Sequence, residues 1–201
     1  VGENKVINPF WSVVTPTLQR ESLIRCCDSI DSQSCRDTIE HIVMVDCAIR
    51  DEPLLEKIAH PQRRIMQCGP YRNFGNTPRH LAWQFATGTM IHYGDDDNYY
   101  ADPNILEDMM NALISADMPD WACFPILRFG HVFFSEDPRC CHADTMNIVV
   151  KREIGRWPDR PEYTLDGIWI DTLRAHHDYI FKAFGSFRPI GIMDRQGKGE
   201  L

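Results

Sequence analysis

Two kinds of apolar run alternate along the first hundred residues. Trp11 to Thr15 is a short β-rich stretch stopped by Pro16, whereas Leu23, Ile24, Cys27 and Ile30 recur at helical spacing. His41 to Val45 is almost continuously apolar and closes on Asp46. Unbroken hydrophobicity is what a strand covered on both faces requires, the situation in a parallel sheet. Leu54 to Ala59 predicts a short helix, and Arg64 to Gln67 a third strand.

The next unit carries the clearest punctuation. Asn76 or Thr77 is a helix cap, Pro78 suits the first turn, and Leu81, Ala82, Phe85 and Ala86 form an apolar stripe. Gly88 then stands where a left-handed C-terminal residue is wanted. A fourth strand, Thr89 to Tyr93, runs into Gly94 and the triplet Asp95, Asp96 and Asp97. Asp102-Pro103 reads as the cap and first turn of a helix that buries Ile105, Leu106, Met109, Met110, Leu113 and Ile114.

Beyond residue 120 the pattern is less regular. Trp121 to Leu127 and His131 to Phe134 read as a hairpin around Arg128-Phe129-Gly130, and Thr145 to Lys151 as a strand. Asp166 to His176 reads as a helix with Ile170 and Leu173 inward. The tail from Gly191, with Gly197 and Gly199, is expected to be mobile.

Length and composition narrow the class. A chain of 201 residues supports one well-buried α/β core, so a single domain over residues 1–201 is expected. Acidic residues outnumber basic ones by 29 to 21, with no basic stripe interleaved with aromatics, which argues against nucleic-acid binding. No apolar run approaches the ~20 residues of a membrane helix, and no signal peptide opens the chain, so no integral membrane segment and a cytoplasmic location are expected. The first residue is Val1, as in a processed or excised piece; tethering to a membrane through a flanking segment stays open. The 8 cysteines include the adjacent pairs Cys26/Cys27 and Cys140/Cys141 and no Cys-x-x-Cys, which favours free thiols. Cys140-Cys141-His142 is at most half of a metal site, and His176 and His177 read as helix-end residues.

The carboxylates are the chemistry. In an open α/β sheet the loops leaving the carboxyl ends of the strands gather along one edge, and ligands bind there. Thr15-Pro16-Thr17, Asp46 and Asp95 to Asp97 all leave predicted strands, so they should converge. Adjacent carboxylates raise one another's pKa unless a cation or solvent relieves them. Mg²⁺ and Mn²⁺ suit the task, being held by one or two carboxylates together with water and substrate phosphates. The plainer alternative is a solvated acidic loop before a helix.

From Asn73 to Tyr100, in the register Arg79, Ala86, Gly88, Ile91 and Asp95, the chain resembles the core signature of family 2 glycosyltransferases of the GT-A fold. Val13-Val14-Thr15-Pro16-Thr17 and the strand ending at Asp46 are similar to the same family, and Asp144-Thr145 more loosely so. The resemblance implies a mostly parallel nucleotide-binding sheet flanked by helices, with a smaller mixed acceptor region. It puts the nucleotide-sugar half at about residues 1–100 and the acceptor half at about 101–201. It further implies transfer of a sugar from a nucleoside-diphosphate sugar, a UDP-sugar first of all, to a hydroxyl of a glycan or other acceptor, with inversion and with Mn²⁺ or Mg²⁺. Thr15, Pro16 and Thr17 would cradle the nucleotide, Asp46 accept from the base, Arg79 lie near base or diphosphate, Asp95 near the ribose, and Asp97 on the metal. Asp96 joins the nucleotide site without a distinct role. Asp166 is the implied general base, with Asp171 as runner-up, although Leu165 stands where family members carry Glu. Rival readings are a sugar-phosphate nucleotidyltransferase, which usually opens with a glycine-rich basic loop absent here, and a non-catalytic nucleotide-sugar-binding module.

Overall fold

The computed structural model describes residues 9–49, 51–140, 142–162 and 164–193. Its centre is a seven-stranded sheet in the order β10-β6-β9-β4-β1-β2-β3. The strands are β1 (Trp11–Thr17), β2 (Ile39–Val45), β3 (Arg63–Gln67), β4 (Met90–Tyr93), β6 (Trp121–Cys123), β9 (Ile148–Lys151) and β10 (Phe181–Ala183). Pairings β4–β1, β1–β2, β2–β3 and β6–β10 are parallel, and β9 alone runs antiparallel to its two neighbours. A second, four-stranded sheet in the order β5-β11-β7-β8 comprises β5 (Asn98–Tyr100), β7 (Ile126–Arg128), β8 (His131–Phe133) and β11 (Gly191–Met193). Among the described residues, five α-helices flank the sheets: α1 (Ser22–Asp31), α2 (Glu52–Lys57), α3 (Asn76–Trp83), α4 (Ile105–Ser115) and α5 (Leu165–Ala175).

Every residue of β1 is buried and β2 is buried at all but Glu40, the consequence of helices packing on both faces of a parallel sheet. One core cluster joins Trp11, Met90, Leu106 and Met109; another joins Val14, Ile91, Tyr93, Trp157 and Trp169. The described cysteines are free thiols, and Cys141 lies outside the described residues.

Several boundaries differ from the sequence reading for physical reasons. Pro16 does not end β1, which runs on to Thr17. Pairing with β4 stops at Val14↔Tyr93 while pairing with β2 continues to Thr17↔Val45, so the missing N–H of Pro16 falls where one flank has no ladder. Helix α3 ends at Trp83, and Phe85 beyond it is exposed rather than part of a stripe. The cap of α3 is Gly75, at φ 78°, instead of Asn76 or Thr77. Gly88 is not left-handed: a Cβ there would lie 2.6 Å from the Ser12 nitrogen and 2.7 Å from the Trp11 carbonyl carbon. Close approach of two backbones excludes any side chain. Helix α4 is preceded by Asn104 rather than capped by Asp102, and its Ile114 faces solvent.

Trp121 to Leu127 is two strands in two sheets, because Pro125 has no N–H to continue the ladder. The 3-10 turn Thr145–Asn147 precedes β9, with Asp144 as its cap. Gly191–Met193 is a strand rather than the start of a mobile tail; the residues after it lie outside the described part.

Candidate active site

The sheet order places the site before any side chain is considered. Strands β2 and β3 lie on one side of β1 and β4 on the other, so the chain reverses direction of growth between β1 and β4. A crevice opens at such a switch point, outside the carboxyl ends of the strands. Because β1 outruns β4, Thr17 overhangs the end of β4, where Gly94 and the three aspartates begin. A side chain added at Gly94 would meet no atom within 4 Å, so the floor is open at that point.

The Thr17 hydroxyl donates to Asp96 Oδ2 at 2.6 Å and bridges the switch point. Asp96 is fully buried and also pairs with Arg20, from the loop between β1 and α1. Burial still dominates and raises the Asp96 pKa against the pull of Arg20 and Thr17. Asp97 is less buried, with Arg20 Nη1 3.4 Å away. Burial, then the charge of Asp95, pushes its pKa up to about 6. Asp95 pairs with Arg79 of α3. That guanidinium also donates to the Phe74 carbonyl at 3.0 Å and lies 5.0 Å from the Trp157 ring centroid.

Asp46, at the end of β2, is nearly enclosed. Its Oδ1 accepts from Tyr71 N at 2.7 Å and its Oδ2 from Arg72 N at 3.1 Å. Gly69, at φ 63°, lets the turn wrap this carboxylate. Thr15 faces the core: it is 1% exposed, and its hydroxyl is 3.0 Å from His41 Nε2. Pro16 packs under Gly75, where a Cβ would lie 2.8 Å from the proline ring. Thus Thr17, Asp95, Asp96, Asp97 and Arg79 gather at one switch point, with Asp95 and Asp97 partly exposed and the other three buried. Asp46 adjoins it, and Thr15 and Pro16 support it from beneath. Leu18, Ile49, Tyr71 and Phe74, on the loops following β1, β2 and β3, are exposed and form an apolar rim.

The far side of the cleft comes from the second half of the chain. Asp166, in the first turn of α5, accepts from Gly167 N at 2.8 Å. Burial raises its pKa, and Arg79 and Asp95 both act on it. Asp144 stands just before β9, which pairs with β4 through His92↔Val149 and therefore begins beside the aspartate loop. Its carboxylate accepts from Met146 N at 3.2 Å. Burial, followed by the charges of Asp95 and Asp166 among others, pushes Asp144 up to about 6. Asp171 points elsewhere: it is exposed and accepts from Cys140 N at 3.3 Å. His176 and His177 are exposed, and His176 stacks on Tyr179.

Sequence reasoning does not pick out Arg20 and Asp144 as site residues. Arg20 lies three residues beyond Thr17 in the same edge loop, and Asp144 opens the capping sequence Asp-Thr-Met-Asn. Either signal is available once the edge has been identified. Among the described residues, no three His, Cys, Asp or Glu side chains form a ready-made metal centre. The donor set still fits a hard cation that keeps most of its water, because the Asp97 carboxylate is partly exposed and has only a distant partner in Arg20. No helix of the described residues is long and apolar enough to cross a membrane.

No family model and no curated protein matches the chain. Among solved structures, the fold is similar to TarS 1-349 of S. aureus, at 15% identity and TM-score 0.73 over 90% of this chain and 59% of that one. It is similar to the same protein in complex with UDP-GlcNAc, at 14% identity and TM-score 0.73 over 95% and 61%. It is also similar to the mannosyltransferase PcManGT from Pyrobaculum calidifontis in complex with GDP-Man and Mn²⁺, at 17% identity and TM-score 0.70 over 96% and 59%. The chain spans about three fifths of the length of these chains. At such identities the likeness is one of fold, and the fold is GT-A-like, a mostly parallel central sheet flanked by helices.

Proposed function

We propose that this chain is a metal-dependent glycosyltransferase domain that moves a sugar from a nucleoside-diphosphate sugar, first of all a UDP-sugar, to an acceptor hydroxyl with inversion. The observation that carries the reading is the crevice between β1 and β4, where Thr17, Arg79 and the aspartate triplet meet across from Asp166. Similar folds solved with UDP-GlcNAc and with GDP-Man and Mn²⁺ support it.

In this reading the apolar rim and Asp46 receive the base. Asp46 keeps lone pairs beyond the two that its backbone donors engage. Asp95, fixed by Arg79, faces the ribose, and Asp97 holds Mn²⁺ or Mg²⁺. When bound, the cation supplies Lewis-acid stabilisation of the charge that grows on the departing diphosphate. Asp96, locked by Thr17 and Arg20, shapes the loop that presents its two neighbours. Asp166 takes the proton from the acceptor hydroxyl as that oxygen attacks the anomeric carbon. Its pKa, raised by burial, makes it a stronger base than an exposed aspartate.

The test is incubation with UDP-sugars and GDP-mannose plus Mn²⁺, with free nucleoside diphosphate measured over time. Slow donor hydrolysis that stops on chelation is expected. Tight donor binding with no release of diphosphate contradicts the enzymatic reading and favours a binding module.

A further inference from the structure

The three aspartates of the acidic loop are not neutralised alike. Asp95 has Arg79, whose guanidinium is fixed by the Phe74 carbonyl and the Trp157 ring. Asp96 has Thr17 and the close ion pair with Arg20. Asp97 is left with the outer nitrogen of that same guanidinium, at 3.4 Å, beyond the usual range for a charge-assisted hydrogen bond. Arg20 is therefore anchored at one end and loosely engaged at the other. Its side chain is 40% exposed, and its Nε is buried without a hydrogen-bond partner among the described residues.

This arrangement has a consequence for any cation at Asp97. A guanidinium a few ångströms away repels a divalent ion, and partial burial limits the screening by solvent. The same guanidinium lies on the loop between β1 and α1, at the strand-end edge that would receive a nucleotide in the reading above. Arginine's planar fork suits phosphate oxygens as well as carboxylates.

We propose that Arg20 is the resident counter-cation of the acidic loop, displaced from Asp97 when a divalent cation enters and transferred to the donor's diphosphate, so that metal binding and nucleotide capture are coupled through one side chain. Asp96 remains the hinge of that exchange, since its contact with Arg20 is the tighter one. The inference rests on the nucleotide-sugar reading above and makes Arg20 a positioning residue.

The experiment uses Mn²⁺ and UDP as probes on the wild-type chain, Arg20→Gln and Asp97→Asn. Bound Mn²⁺ is read from the loss of the free-ion paramagnetic resonance signal, with and without UDP. The glutamine amide keeps a donor for Asp96 but carries no charge. Without UDP, Arg20→Gln is expected to bind Mn²⁺ at least about fivefold more tightly than wild type, the lower end of ordinary coupling between sites. The tightening of Mn²⁺ binding by UDP is expected to shrink by a similar factor. Asp97→Asn should lose Mn²⁺ binding altogether. Equal or weaker Mn²⁺ binding by Arg20→Gln overturns the proposal.

A second measurement needs no variant to fold. Addition of diamagnetic Mg²⁺ to isotope-labelled wild type should shift the Arg20 Nε–H resonance, and an unmoved resonance also overturns the proposal. The two levels of failure separate. Wild type that does not bind UDP with or without metal sinks the nucleotide-sugar reading and this inference with it. UDP binding together with unchanged Mn²⁺ affinity in Arg20→Gln sinks this inference alone.

Discussion

The two walls of the cleft treat their carboxylates differently. On the wall built from β1 to β4, Asp95 and Asp96 have arginine partners and Asp46 has two backbone donors. On the wall built from the second half, Asp144 and Asp166 have no ion pair among the described residues, only hydrogen bonds from neighbouring groups, and both are pushed upward in pKa by burial. Paired carboxylates hold geometry. Unpaired, desolvated ones are suited to exchanging a proton. Asp97 is the exception on the first wall, with the weakest partner of its triplet and a pKa of about 6, and that is the position a cation would relieve.

The largest expected effect separates the walls by function. Asp166→Asn should slow sugar transfer by about 10²–10⁴-fold, the usual worth of a general base, while UDP affinity stays within about threefold. Rates and affinity measured on the same preparation check this; a parallel loss of UDP binding would assign Asp166 to the donor site instead.

Next comes the rigidity of the first wall. Gly88→Ala forces a Cβ against the backbone of Trp11 and Ser12, and a backbone that cannot yield should cost about 3 kcal/mol. Denaturant unfolding reads the loss, and a change below about 1 kcal/mol would show that β1 and the strand-entry loop move apart freely.

A smaller effect probes the second wall by pH. Asp144 titrates at about 6 in the folded chain and at about 3.9 when unfolded, so the native state binds more protons between those values. Stability from this group is therefore lost as pH rises from about 4 to about 6. Asp144→Asn should remove that slope and raise stability at pH 7 by on the order of 1–2 kcal/mol, since an amide oxygen can still cap Met146 N. An unchanged pH profile of the urea midpoint would contradict the assignment.

The same contrast explains what was legible in the sequence. Strands β1 and β2 are long and buried at every position but Glu40, with apolar runs at Val13-Val14 and Ile42 to Val45, so their existence, and the chemistry after them, could be read from hydrophobicity. The second half is built from strands of three or four residues shared between two sheets, too short for a period to register. Pro125, which sends the chain from one sheet to the other, looks in the sequence like the middle of a single strand. Within the site, residue type and edge position indicated Asp46 and the triplet Asp95 to Asp97, and the family resemblance added Arg79. They did not reveal that Thr15 packs against His41 while Thr17, on the same face of β1 but two residues further past the last β4 pairing at Val14, reaches Asp96. Nor did they reveal Arg20, since a lone arginine in a polar loop carries no signal until its partner is known.

The central claim is that Asp97 holds a cation against a bound diphosphate. Calorimetric titration of UDP into wild type and Asp97→Ala, with and without Mn²⁺, tests it most directly. Wild-type affinity is expected to rise at least about tenfold with Mn²⁺, a difference of about 1.4 kcal/mol, and Asp97→Ala to lose that gain. Equal affinity with and without the metal in wild type would contradict it.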